Sequence, residues 1–247
     1  MTGLEYLACV VIGFIAAVIN VIAAGGSFLT LPLLLFLGFP AGIANGTNRV
    51  GVLAQNVSAV WGFHRHKVID WRWSIGVSVP ALIGAAIGVW GALQIPDIAF
   101  RRILSIVMLV MTLGTLLNRR FGTPPAEVRS PTHWTMVVGF FIVGLYGGFL
   151  QAGVGFLVLA VTTIAGLDLV RGNAVKVFSV MIVTLLSLAV FSGTGNVDWP
   201  AGIALGIGNL LGGLLGVRLA VLRGHKWLEH VVTATVIIFA VMLWVTD

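Results

Sequence analysis

The sequence predicts an all-α polytopic membrane protein made of two inverted-topology repeats of about five helical segments each. Composition gives the first indication, because 59% of the 247 residues are hydrophobic and only 9% are charged. Soluble domains carry about 25% charged residues. The apolar runs are continuous and approach the length of a membrane-spanning helix, and they do not alternate as the strands of a membrane barrel do.

An internal repeat gives the second indication. Shifting the first half by 128 positions places Ala24-Gly25 on Ala152-Gly153 and Asn45 on Asn173. Most matches are Gly, Asn, Asp or aromatic residues, which apolar composition alone would not align. Two related halves in so apolar a chain are typical of transporters. Further matched pairs are Phe28 with Phe156, Gly38 with Gly166, Phe63 with Phe191, Asp70 with Asp198 and Gly84 with Gly212.

The third indication is a pair of short segments at matching places in the two halves. Segments 26–37 and 154–166 are too short to cross the roughly 30 Å hydrocarbon core, and each follows a Gly-rich turn. They are therefore predicted to be short broken or re-entrant half-helices, and such pairs indicate a binding site at the membrane midplane. The remaining predicted segments are 3–23, 41–63, 74–93, 99–117, 134–150, 170–192, 199–222 and 227–245.

Loop charges favour inverted over parallel repeats and an N-terminus outside the cell. Nine basic residues then lie in cytoplasmic loops and only Arg101 and Arg102 outside, as the positive-inside rule requires. The net charge of +6 therefore reports membrane orientation and not nucleic-acid binding. The predicted organisation is a first repeat at 1–117, a cytoplasmic linker at 118–133 and a second repeat at 134–247. The nine residues are Arg65, Lys67, Arg72, Arg119, Arg120, Arg129, Arg171, Arg223 and Lys226.

Two cations lie deep inside predicted segments, whereas all eight acidic residues lie at segment ends or in loops. Arg218 lies about one turn from the cytoplasmic end of its segment and is expected to snorkel. Arg49 follows the start of the third segment by about eight residues, and Lys176 follows the start of the eighth by about six. A buried cation is costly unless it is paired, so each is a candidate for function. With no buried carboxylate available, a substrate anion is the simplest partner. The alternative is that both side chains snorkel or bond to backbone carbonyls.

Backbone and amide groups extend this candidate anion site. A half-helix that starts inside the membrane presents free N–H groups and a positive dipole end, and glycine lets an anion approach them. The alternative is that the glycines permit helix packing and the polar side chains bond to neighbouring helices. Asp70 and Asp198 are interpreted as structural helix caps. The candidate substrate-binding residues are Gly25, Gly26, Ser27, Asn45, Thr47, Asn48, Arg49, Gln151, Gly153, Gly155, Asn173, Lys176 and Ser179.

Catalysis and cofactors find no support in the sequence. Cys9 is the only cysteine, which excludes an intrachain disulfide. No nucleophile has a base at a suitable spacing, and no His, Asp or Glu group has the spacing of a metal site. The prediction is therefore no catalytic residue, no metal and no cofactor.

One stretch of the first half carries a family motif. The residues GGSFLTLPLLLFLGFPAGIANGTN at Gly25–Asn48 resemble the sulfite exporter TauE/SafE family, whose pattern is a Gly-rich turn, a Pro in a short apolar run, and A-x-G-T-N/S. The second copy departs from it, with RGNAVK at Arg171–Lys176. The resemblance implies movement of sulfite, sulfonates and related organosulfur anions across the bacterial inner membrane.

The functional hypothesis is a multi-pass secondary transporter that exports a small organosulfur oxyanion by alternating access of its two repeats. The expected partners are the anion and membrane lipid, with no nucleic acid, and the sequence leaves a homo-oligomer open. The alternative from another class is an anion channel or a non-transporting membrane subunit.

Overall fold

A computed structural model describes residues 1–117 and 130–245 of the chain. Those residues are helical with no strand, which confirms the predicted all-α class. Residues 118–129 of the predicted linker lie outside the described part. The helices are α1 Gly3–Ala23, α2 Ser27–Phe36, α3 Ala41–Arg65, α4 Trp71–Gln94, α5 Asp97–Leu117, α6 Trp134–Phe149, α7 Val154–Ile164, α8 Leu169–Gly193 and α9 Trp199–Val245.

The outer faces of the helices are apolar. On α4, Ile75, Val79, Ile83 and Ile87 repeat every four residues, and each is at least 50% exposed. A continuous apolar stripe of this kind would be unfavourable in water and suits contact with lipid. Among the described residues, four helical stretches are long and apolar enough to cross a membrane: Gly3–Ile22, Trp71–Gln94, Leu169–Gly193 and Trp199–Leu222. The protein is therefore a multi-pass membrane protein.

Helix α3 is as long as a membrane span but much more polar. It buries Asn45, Asn48, Arg49, Gln55 and Asn56. Because α2, α8 and α9 pack around it, these side chains face protein and not lipid. Polar groups within a membrane are tolerated in this position, and they mark the interior where function is expected.

Both short helices double back on their neighbours. Within the first half, Thr30 of α2 donates a hydrogen bond of 2.6 Å to Asn48 of α3, across the four-residue turn that joins the two helices. In the second half, Thr162 of α7 lies beside Gly172 of α8, with its Oγ1 2.9 Å from where a Cβ on the glycine would stand. Each half therefore contains a short helix that runs antiparallel to the long helix after it.

The long helices α3 and α8 hold equivalent places in the two halves and pack against each other. Gly46, near the start of α3, lies against Phe191, near the end of α8. At the other end of α3, Phe63 joins one apolar cluster with Ala174 and Val177, from the start of α8. The two helices are therefore antiparallel, although they are equivalent under the offset of 128.

Packing crosses between the halves. Helix α1 packs chiefly against α9, and α6 packs chiefly against α4. Glycines permit the close approach: a Cβ on Gly144 of α6 would lie 1.9 Å from the Ala81 carbonyl oxygen of α4, and one on Gly208 of α9 would lie 2.0 Å from the Val10 carbonyl oxygen of α1. Small residues at helix interfaces are the usual means of association in a membrane, where dispersion contacts replace the hydrophobic effect.

The largest difference from the predicted segments lies in the C-terminal part of the chain. The ninth and tenth predicted segments are a single helix, α9, which continues from Trp199 to Val245. The interval Arg223–Lys226 suggested a loop because it is charged and contains Gly224. A single glycine costs a helix only about 1 kcal/mol, which is too little to end one by itself.

We expect Gly144→Ala to lower the melting temperature of the detergent-solubilised protein by about 5 °C, since the new methyl group would clash with backbone that cannot move aside. The matched control is Gly91→Ala, where the nearest atom to an added Cβ is 3.9 Å away. The control should match or slightly exceed the wild type in a thermal unfolding assay. Equal losses in both variants would contradict the close packing of α4 and α6.

Candidate functional site

The two helix breaks lie against each other inside the protein. Ala24 ends α1 with a φ of 70°, and Gln151, in the turn after α6, has a φ of 64°. Positive φ is uncommon for residues other than glycine and is retained where the surroundings impose it. A Cβ on Gly155 would lie 2.6 Å from the Cβ of Ala24, so the two turns are in direct contact.

An aromatic pair marks the centre of this contact. Phe28 of α2 and Phe156 of α7 stack with ring centroids 6.2 Å apart and an angle of 24° between the rings. These two residues are equivalent under the offset of 128. The first turns of the two half-helices therefore meet, as the sequence predicts for the pair of Gly-rich turns.

A small cavity lies where the first turns meet. Its volume of about 10 Å³ is close to what one water molecule requires. Ser27 is the first residue of α2 and Gly155 the second of α7, so both half-helices direct their positive dipole ends toward this space. The cavity is lined by Asn20, Ser27, Val52, Gln55, Asn56, Gln151, Val154, Gly155, Lys176 and Val180.

Lys176 borders the cavity and is only 3% exposed. Its ammonium donates to the Asn20 carbonyl oxygen at 2.7 Å, the Val21 carbonyl oxygen at 3.1 Å and Asn173 Oδ1 at 2.5 Å. All three of its donors therefore have partners. Two of the acceptors are carbonyls of the last turn of α1, where the helix dipole is negative. The Asn20 carbonyl also accepts the Ala24 N–H that closes this turn, at 3.0 Å.

Arg49 makes the corresponding contact with α6. Its guanidinium donates to the Gly147 carbonyl oxygen at 3.1 Å, the Gly148 carbonyl oxygen at 2.6 Å and Gln151 Oε1 at 2.7 Å. The ring of Phe191 lies 4.8 Å from the guanidinium carbon. Arg49 is fully buried but does not line the cavity.

The two cations thus cap helix ends crosswise. Arg49 of the first half satisfies the last turn of α6 in the second half, and Lys176 of the second half satisfies the last turn of α1 in the first. The sequence suggests two kinds of partner for these cations, a substrate anion or backbone carbonyls. In the structure both side chains bond to backbone carbonyls. Each carbonyl carries a dipole and no net charge, so the two positive charges are not neutralised by these partners.

A chain of amides leads into the cavity and ends in a free donor. Asn20 Nδ2 donates to Gln55 Oε1 at 3.0 Å, and Gln55 Nε2 donates to Asn56 Oδ1 at 3.4 Å. Asn56 Nδ2 then has no hydrogen-bond partner, although the residue is only 2% exposed. An unpartnered buried donor that borders a cavity is suited to an acceptor ligand.

The candidate list of the sequence analysis omits Asn56 and Gln55. The sequence does contain a signal for Asn56. Asn48, Val52 and Asn56 follow one another at intervals of four along α3, so Asn56 shares a helix face with the candidate residue Asn48. Gln151 and Ser179, which are on that list, lie close to Lys176. Gln151 lines the cavity and donates to Thr184 at 2.7 Å, and Ser179 donates to the Lys176 carbonyl oxygen at 3.2 Å.

Several candidate side chains support the surrounding fold and not the cavity. Thr47 Oγ1 accepts the Asp198 N–H at 2.8 Å, Asn45 donates to the Phe149 carbonyl oxygen at 2.9 Å, and Asn48 accepts from Thr30. Asp198 in turn accepts the Ala201 N–H at the start of α9. Its structural role as a helix cap is therefore confirmed.

The glycines of the two turns serve close packing. A Cβ on Gly26 would lie 1.8 Å from the Ala16 carbonyl oxygen, and one on Gly153 would lie 2.4 Å from the Phe28 ring. Gly153 also has a φ of +72°, and the Gly25 carbonyl oxygen accepts the Phe28 N–H that closes the turn before α2. Gly25, Gly26 and Gly153 therefore shape the turns that place Ser27 and Gly155 at the cavity. Ser27 and Gly155 line the cavity, whereas these three glycines do not.

The chemistry of the cavity favours an anion. The described lining contains one cation, an unpartnered amide donor and two helix N-termini, and none of the residues in that lining is acidic. A positive charge, a free amide donor and two helix N-termini around one space suit an oxyanion, since its oxygens accept hydrogen bonds.

Broken helices that meet at a buried polar cavity, in a multi-pass helical protein, define the class of membrane transporters. The comparison with protein families agrees. The model of the sulfite exporter TauE/SafE family matches residues 9–243, and the chain belongs to this family. The family resemblance found in the first half is thereby confirmed over nearly the whole chain.

Relatives support the same class. A "probable membrane transporter protein" of Haemophilus influenzae is 28% identical over 93% of this chain and 91% of its own length. The relative from Sinorhizobium, ORF9, is 27% identical over 94% of this chain and 90% of its own length, and Escherichia coli YfcA is 28% identical over 94% and 85%. No solved structure matches. The chain is a membrane transporter of the bacterial inner membrane.

We expect Arg49→Met to destabilise the protein by about 3 kcal/mol, or roughly 10 °C in melting temperature, because two buried carbonyls of α6 lose their donor. Arg49→Lys should recover only part of this, as an ammonium cannot reproduce the guanidinium fork. Arg72→Met is the control, since Arg72 is exposed. Unfolding of the three purified variants by circular dichroism is the measurement, and a wild-type midpoint for Arg49→Met would rule out the capping role.

Proposed function

We propose that the protein is a secondary transporter that binds a small organosulfur oxyanion, such as sulfite or a sulfonate, in the cavity beside Lys176 and exports it. The observation that carries the proposal is the lining: a buried cation, the free Asn56 donor and two helix N-termini converge where no acidic side chain of the lining opposes them. The family name supports a sulfur oxyanion as the substrate class.

Lys176 contributes charge more than a hydrogen bond in the arrangement described. Its three donors are occupied by oxygens of Asn20, Val21 and Asn173. An anion beside it would gain the attraction of an unneutralised ammonium in a medium of low dielectric constant, where such attraction is strong. The direct hydrogen bond would come from Asn56 Nδ2, which has no other partner.

The cavity size implies that substrate binding requires a rearrangement. A volume near 10 Å³ holds one water but not a pyramidal oxyanion with three oxygens. The two helix breaks touch at Ala24 and Gly155, and Gly155 lines the cavity. Separation of the two half-helices would enlarge it, and alternating separation toward the two sides of the membrane would give transport.

The membrane potential supplies a driving force for export. An inside-negative potential favours the exit of an anion by about 2.3 kcal/mol per charge for each 100 mV. Lys176 and Arg49 are buried cations held by carbonyl oxygens, and no Asp or Glu of the described residues is buried. Proton coupling through a buried carboxylate is therefore not part of the proposed mechanism, and coupling through a proton on the substrate itself remains compatible with it.

We expect Asn56→Leu and Lys176→Gln each to reduce sulfite flux in proteoliposomes by about 10-fold or more, because each removes a donor or charge worth about 1.5–3 kcal/mol to a bound anion. The matched control is Asn209→Leu. Asn209 is also a buried Asn with an unpartnered Nδ2, but it lies outside the cavity. Taurine and sulfate serve as comparison substrates, and thermal unfolding of each variant separates misfolding from lost binding. Wild-type flux in folded Asn56→Leu and Lys176→Gln proteins would exclude this cavity as the substrate site.

A transporter and a channel differ in how flux depends on concentration. We expect radiolabelled sulfite efflux to saturate and to be accelerated by unlabelled sulfite on the opposite side, since alternating access returns a loaded site faster than an empty one. Planar bilayers containing the protein should show no unitary currents. Currents that rise with voltage and do not saturate would favour the channel alternative.

A further inference from the structure

A second concave region lies on the outer surface, between α3 and α9. It is a groove of about 580 Å³ that shares no residue with the cavity beside Lys176. Its floor is tightly packed, because a Cβ on Gly62 would lie 3.0 Å from Val217 Cγ1. The lining residues are Trp61, Gly62, Arg65, His66, Leu214, Val217, Arg218 and Leu222.

Basic side chains gather at this groove without acidic partners. Arg65 holds its guanidinium carbon 4.8 Å from the centre of the Trp61 ring. Arg218 stands on α9, and His66 adds a ring N–H beside the end of α3. The described lining includes no carboxylate, so two guanidinium groups face the groove with no anion from the protein to bind them.

The other wall of the groove is apolar and exposed. Leu214, Arg218 and Leu222 succeed one another at intervals of four on one face of α9. Leu222 is 66% exposed and Trp61 is 52% exposed. Large apolar side chains that remain this accessible in a membrane protein face lipid chains and not water.

The groove also lies at the level of a membrane surface. Arg65 is the last residue of α3, and Trp71, which begins α4, is 41% exposed. Tryptophan at helix ends is typical of the interface between hydrocarbon and headgroups. The loop charges place this end of α3 in the cytoplasm, where anionic lipids attract basic residues.

We propose that the groove is a binding site for an anionic phospholipid, such as phosphatidylglycerol, from the cytoplasmic leaflet. The phosphodiester accepts hydrogen bonds from Arg65 and Arg218, whose planar guanidinium groups suit its two free oxygens. An acyl chain lies along Leu214, Val217 and Leu222. The groove is far larger than a small oxyanion requires. Its basic residues suit an anionic headgroup, and its apolar residues suit a hydrocarbon chain.

The test compares lipid compositions around the same protein. We expect wild-type protein in phosphatidylcholine nanodiscs to gain about 3 °C in melting temperature when about one fifth of the lipid is phosphatidylglycerol, as a ligand bound to the folded state requires. Arg65→Gln combined with Arg218→Gln should lose at least two thirds of that gain. The matched control, Arg72→Gln with Arg171→Gln, removes two exposed cytoplasmic arginines and should keep it.

Two further arms distinguish the occupant. Inorganic phosphate added to wild-type protein in phosphatidylcholine nanodiscs should give no gain, and an equal gain would overturn the proposal in favour of a free anion. Native mass spectrometry of wild-type protein should retain one phosphatidylglycerol and no phosphatidylcholine, which keeps the test valid if the double variant fails to fold. Retention of neither lipid, or the full phosphatidylglycerol gain in the folded double variant, would also overturn it.

Discussion

Two interrupted helices must satisfy their terminal carbonyls without water, and this constraint organises the rest of the structure. In an apolar interior each unsatisfied backbone group costs several kcal/mol. Arg49 and Lys176 meet the requirement at α6 and α1, each from the opposite half. Since each cation bonds to carbonyls of the other half, neither half alone provides these hydrogen-bond donors for the end of its own helix. The breaks are thereby held together, and the cavity exists where they touch.

The capping arrangement also gives the interior its electrostatic character. A carboxylate partner would have cancelled each cation, leaving a neutral ion pair with no preference for substrate charge. Carbonyl oxygens stabilise the cation through their dipoles and leave its charge in place. The free donor at Asn56 then lies beside an ammonium whose field is not cancelled within the described lining. Structural support and selectivity for anions thus come from the same side chain.

Sequence reasoning predicted the class of fold and the two buried cations because both leave local signals: long apolar runs, a fixed offset between halves, and charge within a hydrophobic segment. It could not choose the partners of Arg49 and Lys176, since backbone carbonyls about 100 to 156 positions away have no sequence signature. Asn56 was missed because its sequence context does not distinguish it from other polar residues of α3. Only the structure shows that Gln55 donates to its oxygen and that its Nδ2 is left without a partner. The continuous α9 was missed because one glycine resembles a helix end.

The stack of Phe28 on Phe156 joins one position to its own duplicate. In a protein of two inverted repeats such a contact would be isologous, as in a symmetric dimer, and would lie near the axis that exchanges the two halves. A polypeptide of half this length, inserted in both orientations, would present the same self-complementary seam to a second copy. Covalent fusion then adds proximity without requiring a new interface, and it frees the two copies to diverge. Asn48 stands in the first half where the second half has Lys176, and Val177 stands in the second half where the first has Arg49.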